Sequence, residues 1–241
     1  MPNATKRITK RAKPQEGLGR DAYEQIRDLI VALKLSPGAP LSESELTLRL
    51  GVSRTPIRQA LHRLEQEGLV VAQRLGSIAR LCVAPLTIED MKELHAIFGA
   101  LEGLAARSVA QLPDEPRREL AARIRKLNDD LRSAWQARPG RMRDAQDLHV
   151  RFHRALDEAA TGRRLSSELR ALAPQVERYE RVYTAALVTD FAEALKEHDQ
   201  MIETITAGDP DAAERATIAN WRRGSERYAR IVQDLGERGN W

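Results

Sequence analysis

The stretch Leu41–Val70, LSESELTLRLGVSRTPIRQALHRLEQEGLV, sets two kinds of residue on two short helices. Ser42 stands before an amphipathic run with Glu45 three residues on, the spacing of a capping box, and Gly51 stops the run. Two residues later Ser53 caps a second run, Arg54 to about Glu67, which Gly68 ends. Pro56 falls in its first turn, where a missing N–H costs nothing. Ile57, Leu61 and Leu64 recur at i, i+4 and i+7 and predict the buried stripe of that helix. Arg54, Thr55, Arg58 and Gln59 crowd its front end. Taken alone, such a basic front is ordinarily a solvated face. The tight spacing of the two helices, and what lies on either side, argue otherwise.

Upstream, GRDAYEQIRDLIVALKL (Gly19–Leu35) places Ala22, Ile26, Ile30 and Leu33 along one helical stripe, and SPGAP ends it. Downstream, LVVAQRLGSIARLCVA (Leu69–Ala84) reads as a two-stranded hairpin turning at Arg74–Ser77. Three helices plus a small β-hairpin wing predict a winged helix-turn-helix. In that arrangement the third helix enters the major groove by its N-terminal end. Arg54, Thr55 and Arg58 then face base edges and phosphates, and the amides behind Ser53 add a phosphate site. Arg74 and Arg80 on the wing are within reach of a phosphate or the minor groove, with a solvated surface as the even alternative. His62 points away and reads as a surface residue.

Charge agrees. Residues 1–84 carry fourteen Lys and Arg against eight Asp and Glu, +6; residues 85–241 carry twenty-five against twenty-seven, −2. The front third therefore suits a polyanion. Part of its excess sits in residues 1–17, read as a disordered basic arm. The DNA-binding unit is read over 18–84. From 85 to 241 the chain reads as all helix, with APLT as linker and Thr87 as the next N-cap. Helices are predicted near 88–111, 114–137, 141–160, 165–187, 190–207 and 210–236, with Pro174 kinking or interrupting the fourth. The fold class is mainly α. At 241 residues and 42% hydrophobic composition a substantial core is available. No apolar run approaches a membrane span, no secretory signal opens the chain, and the single Cys82 fits a reducing cytoplasm.

Leu41–Val70 strongly resembles the DNA-binding domain of GntR-superfamily transcription factors. The segments APLTIEDMKELHAIFGALEGLAARSVA, FHRALDEAATGRRL and EHDQMIETITAGDPDAAERA look like the FadR subfamily with its all-helical FCD effector domain. That resemblance spans about residues 18–236. It implies a homodimer that binds double-stranded operator DNA, regulates transcription, commonly as a repressor, and answers to a small-molecule effector. By it, Arg54, Thr55 and Arg58 are DNA contacts and Arg49 a phosphate contact. Ser53 and, on a wing that departs from the usual short glycine turn, Arg74, Gly76 and Ser77 complete the candidate set.

The resemblance also implies a divalent metal held in the bundle by one Asp and three His. Matched motif by motif, the Asp falls on His149, the first His on His153, the second on His198 and the third near Asn220. His149 and His153 stand i, i+4 in HVRFH and leave one helix face together. Three imidazoles suit Zn²⁺ or Ni²⁺ and leave a position for water or effector. A metal-free pocket lined by these histidines is the competing reading. Asn220, a poor ligand, equally suits hydrogen bonding to an effector. Where related domains carry an arginine one turn before the LE of their first helix, this chain has Phe98, with His95 one turn earlier. Both are candidate effector contacts, and a core aromatic is an equal reading of Phe98. Val150 occupies the place where a zinc hydrolase needs its Glu base, so an enzyme is not expected, nor is an organic cofactor. A nonspecific DNA-architectural protein would leave over half of the chain without a purpose.

Overall fold

The computed structural model describes residues 16–75, 78–159, 162–183 and 191–239. The basic arm expected over 1–17 lies outside them as far as residue 15, and helix α1 (Glu16–Val31) already begins at its last two positions. Then come α2 (Glu43–Leu50), α3 (Arg54–Gln66) and an antiparallel hairpin of β1 (Val70–Leu75) and β2 (Ile78–Val83). Six helices follow: α4 (Ile88–Ala110), α5 (Asp114–Gln136), α6 (Met142–Ala159), α7 (Arg163–Tyr183), α8 (Phe191–Ala207) and α9 (Pro210–Leu235).

Local chemistry accounts for the short helices of the N-terminal unit. Ser42 accepts a hydrogen bond from the Glu45 amide and caps α2, and Gly51 closes it in the left-handed region at φ 68°. Ser53 has the extended backbone of an N-cap, but its side chain caps nothing, contrary to expectation. Its hydroxyl and the front amides of α3 therefore stay available. The predicted stripe of α1 is buried at Ala22, Ile26 and Ile30. Leu33 departs from it: the helix has ended at Val31 and Leu33 turns the chain at φ 57°. Those residues form one core with Leu46, Ile57, Leu61, Leu64 and Val83. Residues 39–41 add main-chain bonds to β2, through Leu41 N to Leu81 O and Val83 N to Ala39 O.

The second core lies among α4–α9. At its centre α4 and α9 run against each other at Gly99 and Gly103, where a Cβ would stand 2.6 Å from Trp221 Cβ and 2.8 Å from Ile218 Cγ1 respectively. Helix α7 continues through Pro174 without interruption. The expected continuation of that helix to 187 lies outside the described residues.

The linker is clamped rather than loose. Leu86 is fully buried and exchanges two main-chain bonds with Arg238. Thr87 caps α4 through the Asp90 amide, and Tyr179 Oη accepts from Thr87 N and lies 3.1 Å from its carbonyl. Arg178 of α7 donates to the Ala84 carbonyl, and Gln175 Nε2 donates to the Glu67 carbonyl at 2.9 Å. One helix of the second unit thus grips both the residue that follows the wing's last strand and the end of α3.

Candidate DNA-reading face and histidine cavity

Helix α3 buries Pro56, Ile57, Ala60, Leu61 and Leu64 and leaves its front to solvent. Arg49, Ser53, Arg54, Thr55, Arg58 and Gln59 are all exposed. Arg58 is held in place: Nε and Nη2 reach the two carboxylate oxygens of Glu43 at 3.0 and 2.9 Å. This fork joins α2 to α3 across the face, and the Arg58 hydrogen bonds hold the Glu43 carboxyl below its ordinary range. The pair lies in solvent, where such bonds are weak and exchange readily for a phosphate or a base edge. At the other end of α3, Tyr23 donates to Glu67 at 2.6 Å while Arg63 covers the Tyr23 ring. His62 is exposed, as its surface reading requires.

On the wing Arg74 and Arg80 are both exposed. The register pairs Gln73 with Arg80 and Arg74 with Ala79, so the two arginines project from opposite faces. They do not form one basic patch. Gly76 and Ser77 lie outside the described residues.

The histidines converge inside the second unit. His149 and His153 from α6 and His198 from α8 set their rings at the corners of a triangle, with centroids 4.9, 5.3 and 5.2 Å apart. One nitrogen from each lies within 4.8 Å of the others. Outer partners fix the rings. His153 Nδ1 lies 2.8 and 3.0 Å from the two oxygens of Glu102, which also accepts from Trp221 Nε1. His198 Nδ1 lies 3.0 Å from Asn128 Oδ1, and the Asn128 amide is oriented by donating to Leu195 O and Asp199. His198 is therefore the Nδ1–H tautomer, and its Nε2 is a buried lone pair without a partner. His149 Nδ1 lies 3.3 Å from Glu180 Oε1, off the line of a good hydrogen bond.

The electrostatics follow from burial. Desolvation drives the His198 pKa well below its ordinary value. Burial also works against charge on His153, yet Glu102 beside it wins and raises that pKa. Burial pushes His95 down to about 4. Both His95 nitrogens are buried without partners, with Tyr179, Trp221 and Tyr228 edge-on around the ring.

His95, His149, His153, Glu180 and Asn220 line a cavity of about 30 Å³, room for an ion and a water but not for a metabolite. Asn220 Nδ2 is committed to Glu197, which Arg227 grips with two bonds. Phe98 is a core residue, stacked edge-on against Trp221 at 4.9 Å, and it faces a larger cleft instead. That cleft, about 780 Å³, runs between α1 and the α6–α7 pair and reaches His153, Trp221 and Glu180 at its inner end.

Comparison with known proteins places both halves. Residues 18–79 match the profile of bacterial regulatory proteins of the gntR family, and residues 78–223 match that of the FCD domain. The chain belongs to the GntR family and carries an FCD domain. An HTH-type transcriptional regulator from an unstable DNA locus of Streptomyces ambofaciens is 29% identical, over 88% of this chain and 85% of its own. The HTH-type transcriptional repressor RspR of Escherichia coli K12 is 26% identical, over 92% of this chain and 93% of its own. The solved structure of E. coli McbR/YncC shares the fold, with a TM-score of 0.67 at 17% identity over 91% and 99% of the two chains. The family is one of bacterial regulatory proteins, and the two sequence relatives are named as HTH-type transcriptional regulators, not enzymes. No helix among the described residues is long and apolar enough to cross a membrane.

For this GntR regulator the reading of the residues put Arg54, Thr55 and Arg58 on the exposed front of α3 and set His149 beside His153, and the family resemblance added Arg49, which is exposed, and His198, which joins the two histidines. It missed the layer behind them: Glu102, Asn128, Glu180, Glu197 and Arg227. Each is a polar residue on a helix that is otherwise unremarkable in a chain with 31% charged residues.

Proposed function

We propose that the protein is a FadR-type regulator that binds an operator as a homodimer and represses transcription, with a small molecule in the helical unit setting its DNA affinity. The observation that carries the reading is the front of α3, where two cations and two hydroxyls are exposed on a helix end whose other face is buried, with Arg49 exposed at the end of α2. Arg54, Thr55 and Arg58 are assigned to the major groove, Arg49 and Ser53 to phosphates, and Arg74, Gly76 and Ser77 to the wing's contact with DNA. We divide the chain at residues 84 and 85, between the clamped linker's two ends. Repression follows the name of the E. coli relative, and a reducing cytoplasm is its expected setting.

A divalent metal belongs to the same reading. The three imidazoles fit it: their nitrogens converge, two are oriented by outer partners, and His198 Nε2 is a buried lone pair with nothing to accept from. His149, His153 and His198 would hold Zn²⁺ or Ni²⁺, with Asn220 beside them. Bound there, the ion would supply a Lewis-acidic position for a donor atom of the effector. His95 and Asn220 would contact that molecule, and the cleft faced by Phe98 gives it the room the small cavity lacks.

Selection of a duplex from a randomised pool by the full-length protein tests the reading. A consensus with two-fold symmetry is expected, because the symmetry of a dimer imposes symmetry on its site. Enrichment of no sequence would refute it.

A further inference from the structure

Glu102 and Glu180 are buried carboxylates, 0% and 6% exposed, and neither has an Arg or Lys partner among the described residues. Each faces an imidazole instead: Glu102 meets His153 Nδ1, and Glu180 meets His149 Nδ1 at 3.3 Å. His198 meets Asn128 through the same ring atom. Two rings are thus fixed through Nδ1 by an acceptor, and the third, His149, has the Glu180 carboxylate within 3.3 Å of its Nδ1 but not yet in line with it. A pair of buried anions is costly unless a cation balances it. The two carboxylates back adjacent rings of the histidine triangle, whose centroids are 4.9 Å apart, and a divalent ion among those rings would match their two negative charges.

We propose that Glu180 is a positioning residue of the metal site: it holds His149 as the Nδ1–H tautomer, so that His149 binds through Nε2, and with Glu102 it neutralises a divalent ion from behind the imidazoles. This rests on the metal reading above and adds to it. In this chain His149 stands where the resemblance places an aspartate ligand, and that change removes a carboxylate from contact with the ion. Glu180, on a different helix, returns the charge one layer out, next to the residue that replaced it. The site is then three neutral ligands on an ion whose charge is balanced at a distance, which suits the borderline Zn²⁺ better than harder ions that want carboxylate oxygens directly. Asn128 does the corresponding work for His198 without charge, so the three outer partners are not equivalent.

The test is competition for Zn²⁺ between the full-length protein and a chromophoric chelator, in the parent and in Glu180→Gln. Glutamine keeps size and an acceptor and removes only the charge. Zinc affinity is expected to fall about 10–100-fold, the usual effect of losing an outer-layer partner. Affinity within a factor of two of the parent would overturn the proposal and leave the metal reading standing. A parent chain that binds no zinc at all would overturn both. A second measurement needs no variant: ring-nitrogen NMR of the zinc-loaded parent should show His149 protonated on Nδ1 and metallated on Nε2. Zinc on Nδ1 of His149 would contradict the assignment even if the variant failed to fold.

Discussion

Arg58 shows how much a single side chain carries. Its side chain is 70% exposed and already fork-bonded to Glu43, so it reaches DNA pre-extended rather than collapsed on the surface. Arg58→Ala should weaken binding to the selected duplex at least about tenfold, the range of a lost bidentate base contact, and leave the urea midpoint unchanged. Equal affinity in a gel-shift titration would remove Arg58 from the reading face. His95 makes a different statement, about pH. An unfolded imidazole titrates near 6.5 and the buried one near about 4. Between these values the unfolded chain binds a proton that the folded chain refuses, so stability falls as pH drops through this window and is intact above it. The loss is at most about 3 kcal/mol. His198, also held neutral, acts in the same direction. His153 acts oppositely: Glu102 favours its charged form, so its contribution is present below about 6.5 and fades as pH rises through its elevated pKa. In metal-free protein the urea midpoint should drop from pH 7 to pH 5, and His95→Phe should flatten that drop. Parallel pH profiles for parent and variant would exclude the assignment.

At the scale of elements, sequence and structure agree where chemistry is local. The Ser42 and Thr87 caps and the stops at Gly51 and Gly68 are visible in the chain because each is decided within about four residues. Exceptions have local reasons too. Leu33 fits the helical stripe but sits past the end of α1, because its backbone turns left-handed with no glycine to announce it. Gly99 is another matter. In the sequence it only weakens a helix; in the fold it lets α9 approach α4 and brings Trp221 onto Glu102. Gly99→Ala would gain about 1 kcal/mol of helix propensity and lose about 1–3 kcal/mol to overpacking. The clash is with Trp221 Cβ, which cannot swing away, so the sum is a loss. Chemical denaturation should show lower stability; a more stable variant would mean that the two helices part without cost. The buried carboxylates were illegible for the same reason. Glu102 reaches His153 across 51 residues, and nothing along α4 distinguishes it from the solvated glutamates around it.

The whole molecule is joined through α7. Within six residues this helix bonds the end of α3 through Gln175, the last residue of the wing unit through Arg178, and faces the histidine cavity with Glu180. A change at the cavity therefore has a rigid path of about one and a half turns to the recognition helix. The cleft beside it is bounded by α1 on one wall and α6 and α7 on the other, so an occupant touches both units at once. Gln175→Leu keeps the packing against Gly68 and removes the bond to the Glu67 carbonyl. In that variant zinc should still bind, but its effect on duplex affinity should shrink toward none. A response equal to the parent's would show that coupling runs by another route.

Equilibrium titration of the parent protein against its selected duplex and a scrambled duplex of equal length, at one fixed salt concentration, addresses the central point most directly. Base readout by the front of α3 predicts that the selected duplex binds at least about 1,000-fold more tightly, with that preference collapsing when Arg54 and Arg58 are both replaced by alanine. Equal affinity for the two duplexes, falling together as salt rises, would mean that the exposed arginines meet only phosphate and read nothing.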